Sequence, residues 1–69
     1  MKIQYYPETD SLYIDLTQKM SANSKELENG VVLDFDDQGD LVGIDVDCAS
    51  KKIDLTTLET LNLPLSEIA

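Results

Sequence analysis

The chain contains no histidine, no tryptophan and only one cysteine, Cys48, among its 69 residues. Without histidine it cannot build a histidine-ligated zinc site or a Ser-His-Asp triad. One cysteine cannot form an intramolecular disulfide, and a lone thiol fits a reducing compartment. The chain also lacks an apolar run long enough to cross a membrane, and its first residues lack the apolar stretch of a signal peptide. We therefore expect a cytoplasmic protein that folds without disulfides.

Basic residues are also scarce, since five Lys and Arg oppose fourteen Asp and Glu for a net charge of −9. Phosphate contacts require clustered basic side chains, so we expect no direct nucleic-acid binding. The charge favours a basic protein partner or a divalent cation, although acidity can also serve solubility alone. Residues 1–69 predict one small domain. A chain of this size buries only about 60% of its unfolded surface, so we expect a homodimer or a permanent partner.

The strongest pattern is an alternation of apolar and polar residues in both arms of residues 30–47. Period-two alternation is typical of strands that are buried on one face. Residues 36–40 separate the arms and contain turn-forming side chains together with Gly39, which tolerates a positive φ. The pattern predicts a central β-hairpin. Four of its side chains are predicted to lie in the core: Leu33, Phe35, Ile44 and Val46.

Three further strands are predicted around this hairpin. Residues 2–6 and 11–16 alternate on either side of a Pro-containing turn, which predicts an N-terminal hairpin with Tyr6 and Tyr13 on its outer face. Residues 24–28 form a polar third strand, and the Asn29-Gly30 dipeptide, which favours two-residue turns, joins it to the central hairpin.

Beyond residue 47 the period changes, and leucines recur at every third position at residues 55, 58 and 61. Thr56 and Glu59 have the spacing of a capping box, and Pro64 ends the segment. This pattern predicts a short helix over residues 56–62 that covers one face of the sheet. The predicted fold class is therefore α+β: an antiparallel β-meander of four to five strands, in two to three hairpins, with a short C-terminal helix.

Three segments carry a resemblance to a known family: residues 5–14 (Tyr-Tyr-Pro-Glu-Thr-Asp-Ser-Leu-Tyr-Ile), residues 28–34 (Glu-Asn-Gly-Val-Val-Leu-Asp) and residues 39–46 (Gly-Asp-Leu-Val-Gly-Ile-Asp-Val). With Ala49-Ser50-Lys51 at the end, they resemble the small bacterial family called domain of unknown function 2283. The resemblance implies a β-meander with a C-terminal helix and supplies no catalytic residues. Some members resemble the acidic halves of two-gene toxin–antitoxin pairs, which implies a small basic partner. Cys48 departs from the pattern, because many relatives have Asn or Asp before Ala-Ser.

The acidic residues permit several interpretations. Asp34, Asp36, Gln38, Gly39 and Asp45 imitate the spacing of an EF-hand loop, but a hairpin turn explains the same residues more simply. The outward residues of the predicted strands would form a dense negative face if the strands are neighbours: Asp15, Asp34, Asp36, Asp45 and Asp47. Gly43, inside a strand, predicts a bulge or a close approach of another backbone. Cys48 is expected to be a packing residue without catalytic use, because no base accompanies it.

The leading hypothesis is a small acidic protein-interaction domain, antitoxin-like, without enzymatic activity or cofactor. Its partner is expected to be a basic protein or a second copy of the chain, and no membrane is expected to be involved. The alternatives are a divalent-metal or enzymatic site on the hairpin aspartates, and a purely structural homodimer. The residues predicted to bind a partner are Tyr6, Tyr13, Asp34, Asp36, Asp45, Leu61, Leu63 and Leu65.

Overall fold

A computed structural model describes residues 1–64 and shows an antiparallel five-stranded sheet. Its strands lie in the order β1-β2-β5-β4-β3. Two short 3-10 turns, Glu28–Gly30 and Ala49–Lys51, follow β3 and β5, and residues 1–64 contain no α-helix. The strands are β1 (Lys2–Tyr6), β2 (Ser11–Asp15), β3 (Asn23–Glu26), β4 (Val31–Phe35) and β5 (Leu41–Val46).

The predicted central hairpin is confirmed as β4 and β5, but the simple meander is wrong. The strand beside β2 is β5, with Leu12 opposite Val46 and Ile14 opposite Ile44. In a meander β2 would pair with β3, whose sequence Asn-Ser-Lys-Glu offers no apolar side chain to match Leu12. β5 supplies that match, so residues 16–22 connect β2 to a polar strand at the far edge of the sheet.

The helix predicted over residues 56–62 is wrong, because this segment has irregular backbone. The Asp54 carboxylate accepts hydrogen bonds from both the backbone N–H and the hydroxyl of Thr56, at 3.2 and 2.8 Å. The bond to the Thr56 N–H is of the kind that caps a helix N-terminus, but no helix follows it. A segment this short has little intrinsic helical stability. Packing does not supply the missing stability, because Leu58 and Leu61 remain 78% and 73% exposed.

The buried core is small and is built mainly from β2, β5 and the turn that follows β5. Leu12, Val46 and Ala49 form the buried cluster, and Ile14 and Ile44 pack against it while partly exposed. Val46 is therefore buried as predicted. Leu33 and Phe35 remain only half-buried, so their placement in the core is corrected. A register irregularity between Asp34 and Phe35 sets Phe35 opposite Leu41, at the end of the sheet and away from the buried cluster.

Candidate functional site: the acidic face

The strand order brings carboxylates from three neighbouring strands onto one side of the sheet. In the register, Asp15 of β2 and Asp34 of β4 lie on opposite sides of Gly43. Asp45 of β5 lies opposite Tyr13, two pairs further along. We call this surface the acidic face, and its residues are Tyr13, Asp15, Asp34, Asp45 and Asp47. The negative row predicted from the sequence is therefore present for four of its five aspartates.

Tyr13 is the central side chain of the acidic face, because it reaches over one strand to bind the next. Its hydroxyl donates a 2.8 Å hydrogen bond to Oδ2 of Asp34, and the phenol lies over the backbone of Gly43. A Cβ atom at residue 43 would overlap the Tyr13 hydroxyl. A close approach does occur at Gly43, but a side chain makes it and not the predicted backbone, and the absence of a Cβ atom at residue 43 allows it.

Asp34 joins this tyrosine to the edge strand. Its second oxygen, Oδ1, accepts a 2.6 Å hydrogen bond from the Ser24 hydroxyl. A chain of hydrogen bonds therefore runs from β2 through β4 to β3, bridging β5. The Asp34 bond, with burial and the charges of Asp34, Asp15 and Asp45, raises the pKa of Tyr13 to about 12. The tyrosine is accordingly a neutral hydrogen-bond donor at physiological pH.

Few cations lie near the carboxylates of this face: Lys2 is opposite Asp15 in the register, and Lys52 Nζ donates a 2.6 Å hydrogen bond to the backbone oxygen of Asp47. Burial, followed by the neighbouring charges of Asp47 and Asp34, raises the pKa of Asp45 above its ordinary value. Within residues 1–64 the one Lys–carboxylate pair closer than 4 Å joins Lys19 to Asp36, at 3.9 Å, away from the acidic face. The surface thus carries more carboxylates than cations, and no lysine among residues 1–64 lies within 4 Å of the Asp34 or Asp45 carboxylate.

Asp36 differs from the other predicted aspartates, because its carboxylate is buried in the β4–β5 turn with 4% exposure. Its Oδ1 accepts hydrogen bonds from the backbone N–H groups of Gln38 and Asp40, both at 2.9 Å. The Asp40 and Gln38 bonds and nearby Lys19 lower the pKa of Asp36. Asp36 is therefore a turn residue and does not join the acidic face. Among residues 1–64 no group of three or more carboxylate or thiol side chains is arranged to hold a metal ion.

The remaining predicted contact residues occupy several places. Tyr6 shares the side of the sheet that bears Tyr13 and is 42% exposed. Leu61 and Leu63 are exposed in the irregular C-terminal segment. Leu65 lies outside the described residues.

The opposite side of the sheet carries an apolar groove, which the sequence did not predict. The groove has a volume of about 380 Å³. Its apolar lining comes from strands β1 and β2 and from the segment after residue 52: Ile3, Tyr5, Leu12, Ile14, Ile53, Leu55 and Leu58. The period-three leucines indicated that this segment covers the sheet, and it does so incompletely, since Leu58 is 78% exposed.

The contacts of Asp10 are a second feature that the sequence pattern did not predict. Its carboxylate accepts hydrogen bonds from the hydroxyls of Tyr5 and Ser50, each at 2.7 Å. Its backbone oxygen accepts a 2.8 Å bond from the N–H of Ala49. The Tyr5 bond, followed by the Ser50 bond, lowers the pKa of Asp10. Asp10 thereby connects the β1–β2 turn to the turn after β5. The sequence feature that could have indicated this role is the position of Asp10 at the end of the Pro-containing turn.

Cys48 is exposed, so the expectation that it is a packing residue is wrong. Its backbone is left-handed, with φ 52° and ψ 46°, because the chain reverses between β5 and the 3-10 turn Ala49–Lys51. Non-glycine residues are uncommon there, and Asn and Asp are the most tolerated. This gives a physical reason for Asn or Asp at this position in the resembling pattern.

The model of the DUF2283 family, described as a protein of unknown function, matches residues 2–50 of the chain. This chain belongs to the DUF2283 family. No curated protein and no solved structure matches it. The part that matches DUF2283 contains all five strands, the acidic face and the Asp10–Ser50 contact, whereas Ile53, Leu55 and Leu58 of the groove lie beyond it. The described residues include no helix that is long and apolar enough to cross a membrane.

Proposed function

We propose that this DUF2283 protein is a non-enzymatic interaction domain whose acidic face binds a basic protein, as an antitoxin binds its partner. One observation carries the proposal. The Tyr13 ring is fixed over Gly43 by its bond to Asp34, and the charges of Asp15, Asp34 and Asp45 all act on it. An aromatic ring beside the Asp34 and Asp45 carboxylates, which have no lysine within 4 Å among residues 1–64, suits a cationic side chain.

Arginine is the side chain that suits this surface best. Its guanidinium group stacks on aromatic rings and donates paired hydrogen bonds to carboxylates, which lysine cannot do in the same geometry. Cation–aromatic contacts contribute about 0.5–1 kcal/mol at exposed sites. Because Tyr13 is already held in place, little side-chain entropy is lost when it is contacted. A bound cation would also offset the mutual repulsion of Asp45, Asp47 and Asp34.

The net charge supports the same partner. A charge of −9 on 69 residues attracts basic surfaces and accelerates association, and added salt weakens the attraction. Lasting affinity requires apolar contact as well. Tyr6 and Tyr13 offer it on this side of the sheet, and the exposed Leu61 and Leu63 remain predicted contacts for a partner that reaches the C-terminal segment.

A short oligo-arginine peptide tests the site by titration calorimetry. Asp45→Asn should weaken binding several-fold more than Asp37→Asn, which removes the same charge from the exposed β4–β5 turn. Tyr13→Leu should weaken binding while leaving the net charge unchanged. Equal weakening by the two charge variants, together with no effect of Tyr13→Leu, would show that net charge alone attracts the peptide.

The biological form of the proposal is tested by co-expression. The product of an adjacent small basic reading frame should co-purify with this protein from the cytoplasm, and Asp45→Asn should reduce the recovery more than Asp37→Asn. Stable co-purification that is indifferent to both Asp45→Asn and Tyr13→Leu would assign the partner to another surface.

The two alternatives have different support. A metal or enzymatic site on the hairpin aspartates has no supporting contact, because Asp34 accepts bonds from Tyr13 and Ser24 and Asp36 accepts bonds from backbone N–H groups. Self-association is supported separately, by the properties of one edge of the sheet.

A further inference from the structure

The two edges of the sheet differ in how they discourage pairing with another strand. β3, at one edge, carries Lys25 in its middle and no apolar side chain. Charged residues, lysine above all, are a common protection of edge strands. β1, at the other edge, pairs with β2 on one side, and no strand among residues 1–64 pairs with its outer side. Its interior residues Ile3, Gln4 and Tyr5 are uncharged and include no proline.

β1 is also the one strand of the five that lacks an acidic residue. β2, β3, β4 and β5 each contain an aspartate or a glutamate, whereas β1 is Lys-Ile-Gln-Tyr-Tyr. In a chain of charge −9, this is the edge that another acidic molecule can approach with the least local repulsion. A second copy of the chain is such a molecule.

An apolar surface continues to this edge. Ile3 and Tyr5 lie opposite Ile14 and Leu12 on the side of the groove, and they remain 47% and 40% exposed. Leu55 and Leu58 border the same groove. Pairing of backbones at β1 would therefore place apolar side chains from two molecules next to each other, which adds burial to the hydrogen bonds of the strand pair.

We infer that β1 is a self-association edge, at which two copies pair antiparallel and form a continuous ten-stranded sheet. A two-fold axis at Gln4 pairs all five residues: Ile3 faces Tyr5 of the second copy, and Lys2 faces Tyr6. The aromatic–aliphatic pairs lie on the groove side, and the acidic face of each copy stays open. This inference does not depend on the proposed function. Because the edge is short, the dimer is weak and concentration-dependent.

The net charge gives this dimer a distinctive salt dependence. Two molecules of charge −9 repel one another over about 8 Å at physiological salt, although the paired strands carry no acidic residue. Added salt screens that repulsion and should strengthen dimerisation. It should weaken the binding of a basic partner, so the two associations respond to salt in opposite directions.

Sedimentation equilibrium from micromolar to near-millimolar concentration tests the inference. The native chain should shift from monomer to dimer over this range. Gln4→Glu places two carboxylates against each other at the two-fold axis and should weaken the dimer at least tenfold, with partial recovery in high salt. Gln38→Glu makes the same change in the exposed β4–β5 turn and should leave the dissociation constant within about twofold of the native value, since like charges disfavour pairing most when they lie directly opposite each other.

A monomer at every concentration would overturn the inference, and so would a dimer that is indifferent to Gln4→Glu. Amide hydrogen exchange provides a measurement that needs no variant. Outward-facing amides of β1 should gain protection as the concentration of the native protein rises, whereas amides of β3 should not. Protection that rises at β3 instead of β1 would assign self-association to the other edge.

Discussion

The two sides of this sheet are stabilised in different ways. On the groove side, Leu12, Val46 and Ala49 exclude water, but Ile3 and Tyr5 at the edge remain substantially exposed. On the acidic side, hydrogen bonds from Tyr13 to Asp34 and from Ser24 to Asp34 connect strands across the sheet. One side is thus held by burial that is incomplete, and the other by polar contacts that span four of the five strands.

This difference shows how a small sheet supplements a small core. Few side chains are fully protected from water, so the hydrophobic contribution is limited in a chain of this size. The Tyr13–Asp34–Ser24 connection adds stability without further burial, and it leaves carboxylates available to a partner. Changes on the two sides should therefore differ in both size and pH dependence.

The largest expected effect is at the centre of the groove side. Leu12→Ala removes buried methyl groups from the main cluster and should lower the free energy of unfolding by about 2–4 kcal/mol. Ile3→Ala, on the same face but 47% exposed, should cost about 1 kcal/mol or less. Denaturant unfolding of both variants measures the difference. Similar costs at the two positions would contradict the view that burial is concentrated in the central strands.

On the acidic side, Gly43→Ala should displace Tyr13 from Asp34 because the new Cβ would overlap the phenol. The lost bond to a carboxylate predicts a cost of about 1.5 kcal/mol. In a Tyr13→Phe background, where that bond is already absent, the same substitution should cost less. Equal costs in the two backgrounds would show that Gly43 serves the backbone alone.

The same contact has a pH signature. The native pKa of Tyr13, about 12, exceeds its ordinary value of 10.0. Its contribution to stability is therefore fully present below about pH 10 and is lost as the pH rises towards 12. Ultraviolet titration of Gly43→Ala should show the Tyr13 pKa moving back towards 10. An unchanged titration would mean that the bond to Asp34 survives the substitution.

Much of this fold followed from local pattern. Alternation predicted β1, β2, β4 and β5, and the Asn29-Gly30 dipeptide predicted the polar strand β3 and the turn before β4, where both residues have positive φ. The strand order did not follow, because a local pattern cannot say that β5 and not β3 lies beside Leu12. The helix over residues 56–62 is absent because so short a segment needs packing to be helical, and Leu58 and Leu61 remain 78% and 73% exposed.

The acidic face was likewise predicted only in part, because local pattern does not give the order of the strands. Alternation put Asp15, Asp34 and Asp45 on outward faces, and only the register shows that their strands are neighbours. Asp36 follows the same alternation beyond β4, but the turn captures its carboxylate. The Tyr13–Asp34 bond crosses a strand, so no spacing along the chain reveals it.

A smaller effect on stability is expected at Asp10, which connects the turn between β1 and β2 to the turn after β5. Hydrogen bonds lower its native pKa below 3.8, so its contribution is present above that pH and is lost as the pH falls through the native value. Asp10→Asn keeps the shape and tolerates the φ of 53°. It should be less stable than the native chain at neutral pH, with the difference shrinking in acid. A difference that is constant with pH would contradict a role for the carboxylate charge.

The smallest effect on stability is expected at Cys48, which contributes to neither side of the sheet and therefore serves as a reference position. Its left-handed backbone is better tolerated by asparagine, so Cys48→Asn should stabilise the protein by about 0.5 kcal/mol. Cys48→Ala removes the thiol without that preference and should change stability by less than about 0.3 kcal/mol. Destabilisation by both substitutions would show that the thiol itself makes a contact.

The central claim, that the acidic side binds cationic partners while the groove side does not, is tested most directly by tyrosine ring resonances. Tyr13 and Tyr6 lie on the acidic side, and Tyr5 lies on the groove side, so the protein contains its own control. Titration with a short oligo-arginine peptide should shift the ring signals of Tyr13 and, to a smaller degree, Tyr6, while those of Tyr5 stay in place. Shifts at Tyr5 without shifts at Tyr13 would contradict the account.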